Sequence, residues 1–280
     1  MIAVRQSKDR GKADRGWLKG FYSFSFGDYH DPSYSNFSVL RVLNDDRIAP
    51  GKGFGPHAHR DMEIITYVLD GSLRHRDSTG ECHILRPNEV QTMSAGSGIV
   101  HSEWNASEND PVHSIQIWIT PASEDLQPSY QQIAFAPVEK RGRFRLLAGP
   151  QASEREQATI INQDARLYVT ELAPGESIRR MLLPGRQAWI QVVRGDLNLN
   201  GDILDEGDAR ASVKSASCGS PERETQVASF FCLICPDPIP LLAEEGWMRR
   251  AKRRRRRGGA PPRRCEEGNA PGFARIVSPL

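Results

Sequence analysis

Residues 50–73 read PGKGFGPHAHRDMEIITYVLDGSL, and this stretch decides the fold. It opens on a Pro-Gly turn and passes through His57-Ala-His59. It then enters Glu63 to Leu69, a β-branched and aromatic run closed by Asp70-Gly71. Runs of this kind bounded by turn formers read as strands. Side chains two apart in a strand share a face, so His57 and His59 project together.

The same style repeats outward along the chain. Phe37 to Leu43, Ser114 to Ile119, Leu167 to Leu172, Ala188 to Val193 and Ser229 to Ile234 are short strand-like runs separated by Gly, Pro, Asn and Asp. No helix of four turns is expected between residues 20 and 240. The chain therefore reads as an all-β sandwich or barrel. Pro50-Gly51 and Gly71-Ser-Leu73 return as Pro174-Gly175 and Gly195-Asp-Leu197, each 124 residues later. That offset points to a duplicated β-domain with its boundary near residues 136–150.

Composition removes other classes. The 280 residues are 38% hydrophobic, enough for about two domains. The longest apolar runs, such as Val227 to Cys235, are too short to span a bilayer. No secretory signal follows the basic start, so the five cysteines read as reduced thiols in the cytoplasm. The net charge of +2 hides an asymmetry. Residues 241–280 carry eleven Lys or Arg against four Glu, which leaves the rest of the chain acidic. The tail is expected to be disordered and solvated, with weak nucleic-acid contact as its alternative use. The acidic body argues against a folded nucleic-acid-binding domain.

All seven histidines precede residue 114. His101-Ser-Glu103 follows a Gly-rich turn (Ser94 to Gly98) and repeats the two-apart spacing of His57 and His59. Two such strands facing each other inside a barrel give three imidazoles and one carboxylate. That donor set suits a mid-row divalent ion and keeps open positions for substrate, oxygen or water.

The frame Gly51, His57, His59, Glu63, Pro87, His101 follows the two-part cupin signature. The stretches 24–32 (FSFGDYHDP), 41–80, 90–105 (VQTMSAGSGIVHSEWN) and 113–121 (HSIQIWITP) resemble the pirin family. The resemblance is dense over residues 1–135 and looser to about 200. It implies a bicupin of two double-stranded β-helix (jelly-roll) barrels. The expected division is 1–136 for a metal-binding barrel, 137–240 for a barrel without ligands and 241–280 for the tail. The implied ligands of one Fe(2+) are His57, His59, His101 and Glu103. The implied activity is quercetin 2,3-dioxygenase, acting on a small aromatic substrate with O2, with Glu103 able to take the substrate's hydroxyl proton.

Two other readings stay open. One is an iron-dependent redox-sensing regulator of the transcription co-regulator type. The other is a zinc or nickel cupin with isomerase or hydrolase chemistry. A monomer is expected, since each barrel can cover the other's open sheet.

Some positions are ambiguous. Glu63 often supplies a cupin carboxylate, but Glu103 takes that place in the pirin pattern. By strand parity Glu63 points with His57 and His59, beside the ligands or onto a packing face. Arg60-Asp61 is expected to orient imidazoles, and His113 to stand near the site. His75 is expected to be a hydrogen-bonded surface residue. Phe21, Phe24, Phe26 and Tyr29 read as pocket wall or plain core. The positions 124 residues after His57 and His59 are Met181 and Leu183, so the second barrel lacks imidazoles there. Cys232-Leu-Ile-Cys235 reads as buried strand. The polar run 207–226 puts closure of the second barrel in question.

Overall fold

A computed structural model describes residues 4–150, 157–212, 215–219 and 228–236. The expected disordered tail at 241–280 lies outside them. Apolar–polar alternation is realised as β-strands joined by turns, and the described residues hold no α-helix. None of the helical turns could cross a membrane. In chain order the first strands are β1 (Val4–Arg5), β2 (Gly11–Asp14), β3 (Leu18–Tyr22), β4 (Leu40–Ile48), β5 (Gly53–His59) and β6 (Glu63–Asp70). They continue as β7 (Leu73–Asp77), β8 (Cys82–Leu85), β9 (Glu89–Ser94), β10 (Ile99–Asn105), β11 (Val112–Ile119) and β12 (Ser129–Ala134). The second half holds β13 (Arg145–Gly149), β14 (Thr159–Ile160), β15 (Arg166–Leu172), β16 (Ser177–Met181) and β17 (Arg186–Arg194). It ends with β18 (Leu197–Leu199), β19 (Asp202–Leu204), β20 (Ala209–Ser212), β21 (Ser215–Gly219) and β22 (Ala228–Pro236).

These strands build two jelly-roll barrels of one design. The first pairs a seven-stranded sheet, β12-β9-β6-β11-β4-β3-β2, with a four-stranded sheet, β5-β10-β7-β8. The second pairs β1-β20-β17-β22-β15-β13-β14 with β16-β21-β18-β19. The central order β9-β6-β11-β4 recurs as β20-β17-β22-β15, and β5-β10-β7-β8 recurs as β16-β21-β18-β19. The 124-residue offset carries β6 onto β17 and the start of β7 onto β18, so the short sequence repeat marks a repeated fold. Closure of the second barrel, questioned from the sequence, is supplied by β20 and β21. Alanine and serine dominate these strands, and their pairing partners lie far away in the chain.

The large sheets of the two barrels pack face to face. Their outward side chains merge into one apolar cluster that includes Ile65, Tyr67, Ile115 and Ile117 from one side and Leu167, Trp189, Phe231 and Leu233 from the other. Thr92 and Thr159 join hydroxyls across it at 2.6 Å. The first residues also cross over. β1 pairs with β20, and Ser7 donates its backbone N–H to Asp208 Oδ1 at 2.6 Å.

One element differs from the expected strands. Phe37 to Val39 is not in β4, because Ser38 takes a left-handed φ of 52°. β4 then runs on through Asn44, Asp45, Asp46 and Arg47, four polar residues that hydrogen-bonded pairing with β3 and β11 holds extended. Cys232 and Cys235 lie on opposite faces of β22, one inside the second barrel and one in the inter-barrel core. Both are free thiols, and burial pushes Cys235 up to about 12.

Candidate metal centre

The inner face of the first barrel's large sheet is laid out in rows. One row, Val42, Trp118, Ile64 and Met93, is apolar. The next is polar across five strands: Tyr22 opposite Asn44, Asn44 opposite Gln116, Gln116 opposite Thr66, Thr66 opposite Gln91. Beyond it Asp46 faces Gly20 and Ser114, and then Leu18, Ile48 and Val112 close the far end. A polar band between two apolar layers is costly to bury unless its groups are engaged. Opposite this band lie the histidines.

β5 is an edge strand, which accommodates Pro56, and it delivers His57 and His59 inward. β10 buries Ile99, His101, Glu103 and Asn105 and turns Val100 outward. The ring centroids of His57 and His101 are 4.4 Å apart, His57 and His59 4.8 Å, His59 and His101 4.9 Å. Their ligating nitrogens lie within 4.8 Å of one another. His57 Nδ1 donates to the Gly55 carbonyl at 2.8 Å, which leaves Nε2 for the cluster. Trp118 walls the site, its ring centroid 4.8 Å from that of His59, and Phe26 stands edge-on to Trp118.

His101 is 2% exposed, yet neither ring nitrogen has a hydrogen-bond partner. Buried polar atoms are nearly always satisfied. A bare imidazole in a cluster of imidazoles fits a cation held between them. Burial, then neighbouring His57, pushes His59 down to about 3. Burial and the three nearby imidazoles push His101 down as well. Both rings are therefore neutral at pH 7, the form in which histidine binds metal.

Glu103 stands differently from its sequence neighbours. His101 pairs with His57, but Glu103 pairs with Phe54, so β5 carries one extra residue in a bulge. The bulge leaves the Glu103 carboxylate grouped with His101 and His75, and the four sequence-named residues do not close into one mutual group. Thr66 Oγ1 donates to Glu103 Oε1 at 3.3 Å, and Gln116 Nε2 to Oε2 at 2.6 Å. The strands approach so closely here that a Cβ on Gly53 would lie 2.3 Å from the Glu103 carbonyl oxygen.

His75 is not on the surface. It is fully buried, its ring centroid 5.3 Å from that of His101. β7 turns Leu73, His75 and Asp77 inward and Arg74 and Arg76 outward, an alternation visible in the sequence. His75 Nε2–H donates to Asp77 Oδ2 at 2.9 Å, and Gln91 Nε2 donates to His75 Nδ1 at 3.3 Å. The Asp77 Oδ1 atom is held by the backbone and hydroxyl of Thr79.

Glu63 also departs from expectation. The chain reverses at Asp61, whose φ is 48°, so strand parity does not carry from β5 into β6. Glu63 faces the other barrel, fully buried, and Oε1 accepts from Ser94 Oγ at 2.9 Å and Asn162 Nδ2 at 3.0 Å. Burial raises its pKa. Arg60 orients no imidazole; it bonds the Ser97 carbonyl at 2.6 Å and pairs with Asp61 and Asp125. His113 points out of the barrel and bonds Asp45 Oδ1 at 2.7 Å. Of the four aromatics, Phe26 reaches the site wall, Phe24 packs on Trp189, Phe21 lies under Arg10, and Tyr29 receives a hydrogen bond from Arg5. Met181 and Leu183 are exposed, and the histidine clusters lie in the first barrel.

Comparison with known proteins agrees with this architecture. Residues 3–119 match the family model described as Pirin, and residues 146–225 that of the quercetinase C-terminal cupin domain. A protein named quercetin 2,3-dioxygenase from Escherichia coli K12 is 43% identical over 211 residues, covering 75% of this chain and 89% of its own. The crystal structure of YhhW from Escherichia coli superposes with a TM-score of 0.79 at 37% identity, over 85% of this chain and 99% of that one. A structure of bacterial pirin YhhW in complex with nickel(II) matches with a TM-score of 0.78 at 37% identity, over 85% of this chain and 100% of that one.

Proposed function

Because this chain belongs to the pirin family, we propose that it is a metal-dependent dioxygenase that opens quercetin-type flavonols with O2, using Fe(2+) held by His57, His59, His101 and Glu103. The observation that carries the reading is the pair of bare, buried nitrogens on His101 beside two other imidazoles. Three nitrogens and one carboxylate suit a redox-active divalent ion that must keep positions open. When bound, the metal acidifies the flavonol's 3-hydroxyl and brings the electron-rich ring and oxygen together.

The chain's own residues do the rest. Glu103 takes the hydroxyl proton as general base, its two oxygens steadied by Thr66 and Gln116. His101 belongs to both ligand groups, so it joins Glu103 to the cluster of His57 and His59. Trp118 and Phe26 give the aromatic substrate an apolar wall and keep bulk water from the reacting ring. Both atoms of O2 enter the products: two carbon–carbon bonds of the central ring break, the carbon between them leaves as carbon monoxide, and the two halves stay joined as an ester. The four described cysteines are free thiols, which suits work in a reducing cytoplasm. Each barrel already covers the other's large sheet, so a single copy is the working unit.

The test is direct. Apo-protein is loaded with Fe(2+) without oxygen, quercetin and air are added, and flavonol absorbance and carbon monoxide are followed beside His101→Ala. Metal-dependent loss that vanishes in the variant is expected. No loss in a sample holding one iron per chain sinks the flavonol assignment and moves the redox-sensing reading into first place.

A further inference from the structure

The polar band inside the first barrel is only half used. Gln116 and Thr66 hold Glu103, and Gln91 donates to His75. On the β3–β4 side, Asn44 and Asp46 are 2% and 6% exposed, and Oδ1 of each has no hydrogen-bond partner. Asn44 lies directly opposite Gln116, the residue that touches Glu103. Asp46 lies opposite Gly20, where a Cβ would come within 2.7 Å of Asp46 Oδ1 and 3.0 Å of the Tyr22 hydroxyl oxygen. The glycine thus lets Asp46 and Tyr22 close over β3, where a side chain would push them apart.

Two buried acceptors without donors are a standing loss of stability that a fold does not retain for packing. Their placement, one strand from the Glu103 support and inside the barrel that carries the imidazoles, gives them a use. We propose that Asn44 and Asp46, with Tyr22 beside them, form a hydroxyl-recognising subsite that binds the outlying ring hydroxyls of a polyhydroxylated aromatic substrate. This deepens the flavonol reading and rests on it for the identity of the substrate. Asn44 Oδ1 accepts one substrate O–H, and the Asp46 carboxyl pairs with a second hydroxyl. A ring without hydroxyls leaves both oxygens unpaired, and sites built to hydrogen-bond a hydroxyl reject the analogue lacking it far more strongly than apolar pockets reject a size change.

The subsite also explains a local conflict in the sequence. Asn, Asp and Gly are poor strand formers, yet they occupy interior positions of β3 and β4. Such local violations gather where function outweighs stability. Leucine at 44 or 46 should accordingly raise the melting temperature of the apo-protein by a few degrees, since it replaces an unpaired buried polar group, while it erases hydroxyl recognition. A purely structural role for either residue predicts the opposite sign.

The experiment compares wild type, Asn44→Leu, Asp46→Leu and the conservative Asp46→Asn with two probe pairs. Quercetin is set against 3-hydroxyflavone, which keeps the metal-binding 3-hydroxy-4-oxo unit and lacks the other hydroxyls. Resorcinol, a hydroxylated ring that does not chelate metal, is set against benzene. Binding is read anaerobically on the metal-loaded protein by tryptophan fluorescence, and melting on the apo-protein. Wild type should prefer quercetin by about 10-fold or more. Either leucine variant should bring that preference close to unity, with 3-hydroxyflavone affinity retained, and Asp46→Asn should restore part of it. An unchanged preference in both leucine variants overturns the subsite and leaves the flavonol reading standing. If neither flavonol binds but the leucine variants weaken resorcinol, the flavonol reading falls and the subsite stands. If no hydroxylated probe is preferred by wild type, the subsite is overturned.

Discussion

His75 and His101 face each other inside the first barrel with ring centroids 5.3 Å apart, and they are satisfied in opposite ways. His75 has a partner on each ring nitrogen, Asp77 on one and Gln91 on the other. His101 has none. One ring is tied into the wall, and the other presents its nitrogens to the histidine cluster. The same residue type, equally buried, takes two roles because β7 supplies Asp77 two residues after its histidine and nothing supplies a partner to His101.

That contrast separates two substitutions. His75→Ala leaves Asp77 buried without its partner and should destabilise the apo-protein by about 3 kcal/mol or more. His101→Ala removes a ring whose nitrogens were unsatisfied and should cost less than half of that, while it abolishes metal binding. Urea denaturation of both apo-variants, paired with metal analysis, checks the crossing pattern.

Acid should loosen the apo-protein in a defined window. His59 sits at about 3 in the folded state against an ordinary value of 6.5, so the folded state stays neutral where the unfolded chain takes up a proton. Stability from this group is intact above pH 6.5 and declines as pH falls toward 3, by roughly 1.4 kcal/mol per pH unit. His101, pushed the same way, adds to the slope. A bound metal ion keeps both rings neutral, and its release should track the same window. Thermal melts from pH 7.5 to 4, with and without metal, test the sign.

Glu63→Gln separates the inter-barrel carboxyl from the metal centre. Glutamine keeps an acceptor for Ser94 and Asn162 and removes an acid whose pKa burial raises. A raised carboxyl loses stability as pH climbs from its unfolded value of about 4.5. The variant should therefore be more stable than wild type at pH 7 by about 1 kcal/mol, with the gain vanishing near pH 4. Metal content should not change. A drop in bound metal would make Glu63 a ligand after all.

Gly53→Ala tests the close approach of β5 to β10. Its methyl group would lie 2.3 Å from the Glu103 carbonyl oxygen and 2.5 Å from Trp104 Cα, both of them backbone. The strands must part, carrying His57 and His59 away from His101. A loss of at least 10-fold in metal affinity is expected, with about 2–3 kcal/mol of stability. Isothermal titration with Ni(2+) measures the first.

The sequence made some of this legible and hid the rest for physical reasons. His57, His59 and His101 were readable because a two-residue spacing has a fixed meaning in a strand. Parity misled at Glu63, since a left-handed Asp61 resets the face. His75 was hidden by its two flanking arginines, although the inward Leu73-x-His75-x-Asp77 alternation was there to find. The run expected to end at Leu43 continues through Asn44 and Asp46, because pairing with β3 and β11 holds those polar residues extended. The same holds for β20 and β21, where small residues follow partners far along the chain rather than their own propensity.

The pairing of β1 with β20 sets an order of events during synthesis. Val4 and Arg5 find Arg210 and Ala209 as partners, so β1 must wait for a strand made about 200 residues later. At ordinary elongation speeds that interval is on the order of 10–40 seconds, ample for the histidine-bearing barrel to fold on its own. The second barrel is then stitched shut by a strand that precedes the first barrel. Anything that masks Val4 and Arg5 should be felt first in the barrel that holds no histidine.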